Sequence, residues 1–129
     1  MSGNRFLLDT NAVIYLLNGS KNIDTIISKA NWIGISVITY IEFLAFENLS
    51  DNDKNLFYRF ISRIDTIDIS LENNKIINKI IDIRQKYTLK LPDSIIASTA
   101  YTTNATLITW DNKLRNIDEV EIYPKNIIK

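Results

Sequence analysis

Short apolar runs that alternate with amphipathic segments predict an α/β fold, a parallel sheet covered by helices on both faces. Three observations carry this expectation. Strand-like runs recur at residues 6–8, 32–37, 67–69, 106–110 and 120–123. Segments with helical spacing of apolar residues separate them. The 129 residues hold no internal repeat, no linker rich in Pro, Gly or Ser and no low-complexity block, so one domain spanning 1–129 is expected.

Taken in order, Phe6-Leu7-Leu8 is a strand that ends at Asp9. Residues 12–17 read as a helix stopped by Asn18-Gly19-Ser20, and 22–30 as a second short helix. Residues 32–37 read as a buried strand, followed by a helix over 39–49 that ends at Ser50-Asp51-Asn52. Over 54–64, Leu56, Phe57, Phe60, Ile61 and Ile64 fall on one helical face. Ile67-Asp68-Ile69 alternates like a strand. Ile76, Ile77, Ile80, Ile81, Arg84 and Tyr87 mark a long amphipathic helix over 72–87. Pro92 suits the first turn of the next helix, whose Ala97, Ser98, Thr99 and Ala100 permit close packing. Residues 112–116 form a short helix, and the last strand, 120–123, precedes Pro124.

Composition excludes several chemistries. Hydrophobic residues make up 46% and charged residues 23%, enough apolar material for one core. Lys+Arg and Asp+Glu are both 15, so a uniformly basic chain that coats nucleic acid is not expected, although a local basic patch is compatible. There is no His and no Cys. Disulfides, thiolate nucleophiles, zinc fingers, Ser-His-Asp triads and two-histidine ribonuclease chemistry are therefore excluded. The longest near-apolar run, 32–41, falls far short of the ~20 residues that span a bilayer. Residues 1–8 lack the pattern of a secretory leader, and a cytoplasmic protein is expected.

In an open parallel sheet, ligands bind outside the carboxyl ends of the strands. Four acids fall there. Asp9 ends the first strand and Asp111 follows the strand 106–110. Glu42 and Asp93 lie in the first turns of helices. Each has a structural use as well: Asp9 or Thr10 as the cap of the next helix, Asp111 as the cap of the short helix behind it, Thr39-Tyr40-Ile41-Glu42 as a capping box, and Asp93 at the positive end of a helix dipole. Those uses do not account for four carboxylates at one edge, which repel one another unless a divalent cation offsets their charge. Hard oxygen ligands without histidine select Mg²⁺ or Mn²⁺ over Zn²⁺.

Phe6-Leu7-Leu8-Asp9-Thr10-Asn11, Ile38-Thr39-Tyr40-Ile41-Glu42, Leu91-Pro92-Asp93-Ser94-Ile95-Ile96-Ala97 and Leu107-Ile108-Thr109-Trp110-Asp111 occur in the order and approximate spacing of PIN-domain ribonucleases. Within that family the sequence most resembles the VapC-type toxins of bacterial VapBC toxin–antitoxin pairs, over essentially its whole length. The resemblance implies a three-layer α/β/α sandwich around a parallel sheet of four or five strands. It also implies a metal-dependent endoribonuclease that leaves 5′-phosphate and 3′-hydroxyl ends, with tRNA the favoured substrate. Asp9, Glu42, Asp93 and Asp111 match the family's acidic quartet. Asp9 and Asp93 would be the principal ligands of a Mg²⁺ or Mn²⁺ ion, and Asp111 would complete that site or help hold a second ion. Glu42 would bind metal through water or orient the attacking water. Asn11 and Thr109 match accessory polar positions. Ser94 stands where the family often has Ala, and Trp110 where a polar residue is more usual. Trp110 is read either as a base-stacking residue or as strand packing.

RNA needs nearby cations, and Lys86, Lys90, Lys113 and Arg115 flank the segments that carry Asp93 and Asp111. Solvated surface charge is the competing reading for each. Phe43, Phe46, Phe57, Tyr58 and Phe60 exceed what one core face needs, and the surplus is expected to serve a homodimer surface or an antitoxin groove, the antitoxin being implied by the resemblance. Two other classes compete with the nuclease. One is a catalytically silent PIN-like interaction module. The other is a Mg²⁺-dependent phosphatase or phospho-receiver, whose Asp-x-Asp or paired acids are missing where Thr10-Asn11 follow Asp9.

Overall fold

The computed structural model describes residues 4–125. Residues 1–3, the start of the segment read for a leader, and 126–129 lie outside that description. The elements run β1(Arg5–Leu8), α1(Thr10–Leu17), α2(Lys21–Ile27), β2(Trp32–Ser36), α3(Val37–Leu44), α4(Asp51–Ile61), β3(Asp65–Ile67), α5(Asn74–Tyr87), α6(Leu91–Thr102), β4(Thr106–Ile108), α7(Asn112–Arg115) and β5(Ile122–Tyr123). The strands form one sheet in the order β3-β2-β1-β4-β5, and every pairing is parallel. Among the described residues, no helix is long and apolar enough to cross a membrane.

β1 occupies the centre, and its side chains alternate between the two helical layers, as strand geometry requires. Phe6 and Leu8 pack with Val13, Ile23, Ile35, Phe43 and Phe57 beneath α1–α4. Leu7 packs on the opposite face with Ile83, Ile96, Ala97, Leu107 and Leu114 beneath α5–α7. The small residues of α6 do what their size allows: from Ser94 to Ala100 the helix is buried without a break. The sandwich and the parallel sheet thus agree with expectation, with five strands.

The boundaries move for local reasons. The helix expected to reach residue 49 stops at Leu44, where the bonding tightens from Ala45 N–H to the Ile41 carbonyl into Phe46 N–H to the Phe43 carbonyl at 3.3 Å, and the chain then turns left-handed at Asn48, φ 61°. The next helix starts at Asp51, ahead of the expected 54, because Ser50 and Asp53 close a capping box: the Ser50 hydroxyl accepts from the Asp53 N–H at 3.0 Å. β3 forms at Asp65–Ile67, two residues ahead of the expected run, where Asp65 pairs with Gly34 and accepts the Trp32 indole N–H at 2.6 Å.

That indole lies flat over Gly34, with the Arg5 guanidinium 4.5 Å from its ring. A Cβ at residue 34 would stand 2.3 Å from the Trp32 Cη2 atom. Gly34→Ala must therefore push the indole off Asp65 and Arg5, and it is expected to destabilise the protein by about 1–3 kcal/mol in urea unfolding. Unchanged stability would mean that the ring has a second, equally good resting place.

Candidate metal and nucleic-acid site

Since all five strands run the same way, their carboxyl ends share one edge. There a cavity of ≈ 280 Å³ is lined by Asp9, Thr10, Asn11, Glu42, Phe46, Asp93, Ile96, Asp111 and Leu114. All four sequence-predicted acids and Asn11 meet in it.

Asp9 is the deepest, at 4% exposure. It is the residue after β1, and Thr109 is the residue after β4. The β1–β4 register, which pairs Leu8 with Ile108, makes these two the next rung. The Asp9 N–H continues the ladder to the Ile108 carbonyl at 3.2 Å. The Thr109 hydroxyl donates to Asp9 Oδ2, and its oxygen accepts the Asp111 N–H at 3.0 Å. Asp9 also caps α1, where its Oδ1 accepts the Ala12 N–H at 2.8 Å. Burial pushes the Asp9 carboxyl up to about 6; the Asp111 and Asp93 charges add to the rise, and the two hydrogen bonds oppose it.

Asp93 sits in the first turn of α6 and is half-buried. Its carboxyl is also raised, first by burial and then by Asp111 and Glu42, while Lys113 and Lys90 pull it back. Asp111 caps α7, its Oδ1 accepting the Lys113 N–H at 2.9 Å. Glu42 lies on α3, and the Thr10 hydroxyl donates to its Oε1 at 2.6 Å. Thr10 Oγ1 also stands 3.3 Å from buried Thr39 Oγ1. Sequence reasoning missed this pair. Thr10 read only as a possible cap, and nothing local shows that it meets a glutamate 32 positions away.

The basic residues divide. Lys90 and Lys113 line a hollow with Tyr87, Thr88, Leu89 and Asn116. Lys86 is instead paired with Glu119 at 3.5 Å. The Arg115 guanidinium donates to the Thr109 carbonyl at 3.0 Å and to the Pro124 carbonyl, which ties α7 to the end of the sheet. Trp110 packs edge-on against Tyr15, with centroids 5.6 Å apart, and belongs to the α1–α4 core.

Among the described residues, no three carboxylates stand close enough to hold one ion as they are placed. Both Asp9 oxygens face protein donors, the Ala12 N–H and the Thr109 hydroxyl. The donors lining the cavity are nevertheless all oxygens, and two of the carboxyls are raised by burial and mutual repulsion. That set suits a hard divalent cation, which would relieve the repulsion.

The family model for the PIN domain matches residues 6–120. No curated protein matches the chain. Among solved structures, the chain is similar to a toxin–antitoxin complex from Klebsiella pneumoniae, at 29% identity over 88% of this chain and 93% of that one, with a TM-score of 0.73. It is likewise similar to VapBC2 from Rickettsia felis bound to a DNA fragment from its promoter, at 25% identity over 91% and 96%, with a TM-score of 0.75. DNA-bound VapBC from Salmonella typhimurium shares the fold at 21% identity over 92% and 96%, with a TM-score of 0.70.

The raised Asp9 carboxyl has a consequence for stability. Its neutral form is favoured in the fold, so its contribution is present below the unfolded value and is lost as pH rises through about 6. In chelator, Asp9→Asn is expected to stabilise the protein at pH 8, by up to roughly 3 kcal/mol at 1.36 kcal/mol per pKa unit, and to change little at pH 4. Urea unfolding at both pH values checks this; the same difference at each would show that ionised Asp9 carries no penalty.

Proposed function

From a chain that belongs to the PIN-domain family, we propose a Mg²⁺- or Mn²⁺-dependent endoribonuclease, the toxin of a type II toxin–antitoxin pair. It hydrolyses phosphodiester bonds in RNA, tRNA being favoured, and leaves 5′-phosphate and 3′-hydroxyl ends. The observation that carries this reading is the convergence of Asp9, Glu42, Asp93 and Asp111, each from a different element, on one cavity at the carboxyl edge of the sheet. The family match and the toxin–antitoxin complexes among the similar structures support a nuclease of the toxin kind.

Asp9 and Asp93 are the principal metal ligands in this reading, and Asp111 completes the set. A divalent ion bound there supplies positive charge to the phosphate oxygens and lowers the pKa of the attacking water. Thr109 fixes the Asp9 carboxylate in one orientation, and Thr10 does the same for Glu42. Glu42, so held, orients the water and accepts its proton. Asn11 lines the same cavity and is available to bond the water or a phosphate oxygen. The ribose 2′-hydroxyl is not needed as nucleophile, which accords with a chain that has no histidine.

The partner is a cognate antitoxin, and the active protein is a cytoplasmic homodimer. Of the aromatic surplus, Phe43 and Phe57 stack at 4.1 Å within the core, whereas Phe46 and Tyr58 are exposed. Phe46 also lines a groove of ≈ 320 Å³ with Ile14, Leu17, Phe43, Leu49 and Leu56. A groove of this character accepts an apolar face of a partner. A second reading is a catalytically silent module that keeps only the partner surface.

Incubation of antitoxin-free protein with total cellular RNA, in Mg²⁺, in Mn²⁺ and in chelator, separates the two. Discrete fragments with 5′-phosphate ends are expected with metal and not with chelator. Asp93→Asn is expected to lose more than the ~10–100-fold that loss of an outer-shell partner costs. Intact RNA in every metal, with no heat stabilisation by Mg²⁺ or Mn²⁺, would leave the silent module. Thr10→Val tests how Glu42 is held: a fall in kcat of about 10–100-fold with unchanged melting temperature is expected, and full activity would show that Glu42 does not depend on the Thr10 hydroxyl.

A further inference from the structure

The hollow beside the acid cavity measures ≈ 380 Å³, within the roughly 300–1,000 Å³ of small-ligand sites. Two of its walls come from segments that also carry catalytic acids. Lys90 caps α6 three residues before Asp93, and Lys113 follows Asp111 by two. Lys113 lines the hollow and its neighbour Leu114 lines the acid cavity, so the two adjoin along α7. Among the described residues, the ammonium groups of Lys90 and Lys113 make no hydrogen bond or ion pair, whereas Lys86 and Arg115 are committed elsewhere.

The other walls are firm and offer readable chemistry. The Tyr87 hydroxyl donates to Glu119 and accepts the Asp118 N–H at 3.1 Å, which fixes the ring. Leu89, 8% exposed, gives the hollow an apolar floor. Thr88 ends α5 at φ 54°, a costly conformation for a β-branched residue, and its side chain is exposed. The Thr88 hydroxyl and the Asn116 amide have no partner among the described residues, so they are free to bond a base edge.

We propose that this hollow is the subsite for the nucleotide next to the scissile phosphate of a single-stranded RNA. Lys90 and Lys113 hold its phosphate, and Asn116 and Thr88 read its base. A base edge can enter such a concavity only when it is unpaired. The proposal rests on the ribonuclease reading and names its specificity element.

The test measures binding and cleavage separately. A fluorescent single-stranded oligoribonucleotide is titrated with the protein in chelator at several salt concentrations. The Lys90→Gln/Lys113→Gln variant is expected to weaken binding and to flatten the slope of log K against log salt by about 0.7, the value for one phosphate contact. With metal, the same variant is expected to raise KM more than it lowers kcat. Asn116→Ala is expected to keep the salt slope and to change the base found beside the cut when fragment ends are sequenced. Unchanged melting temperatures, expected for exposed side chains, exclude unfolding as the cause. Wild-type cutting with unchanged slope and KM in the lysine variant overturns the subsite and leaves the nuclease standing. Lysine-dependent binding without any cutting keeps the subsite and overturns the nuclease. No binding by the wild-type protein overturns the subsite.

Discussion

A buried carboxylate at the end of the central strand sets the terms for everything around it. Strands on both sides of β1 keep Asp9 out of water, and an ionised group so placed is costly unless donors meet it. The two donors that do so come from the ends of two elements, the Ala12 N–H of α1 and the Thr109 hydroxyl beyond β4. The parallel direction of the sheet then delivers three more acids to the same edge. The repulsion among them follows from topology: the arrangement that brings the elements together also concentrates negative charge at one edge of the sheet.

Much of this was legible in the residues themselves. Asp9 and Asp111 stand out because each closes an apolar run, and Asp93 because Pro92 places it in a helical first turn. The layers follow from strands that alternate, Phe6 and Leu8 to one face and Leu7 to the other. What stayed hidden depends on register and on distance along the chain. Thr109 faces Asp9 only because Leu8 pairs with Ile108, and Thr10 meets Glu42 only once α3 packs on α1. The fates of Lys86 and Arg115 are tertiary in the same sense, since their partners Glu119 and Pro124 carry no local signal. Ser50-Asp51-Asn52 read only as the end of a helix, whereas Ser50 and Asp53 cap the start of α4 and α3 has already ended at Leu44.

A formal net charge of zero conceals an uneven distribution. Four carboxylates face one cavity, while two free ammonium groups border the hollow next to it. A polyanion approaching the acids alone meets repulsion, so the cationic border decides whether it arrives. Glu119 has a quieter part in this balance. It engages Lys79, Lys86 and the Tyr87 hydroxyl together, which offsets two ammonium charges and fixes the wall beside Lys90 and Lys113.

Phe46 borders both the acid cavity and the apolar groove. A shared wall is a thermodynamic link. Any occupant of the groove that shifts the ring alters the cavity's affinity for its own ligand, and that ligand alters the groove's affinity by the same factor. One exposed aromatic side chain thus belongs to two adjoining surfaces, and a shift of its ring changes the shape of both.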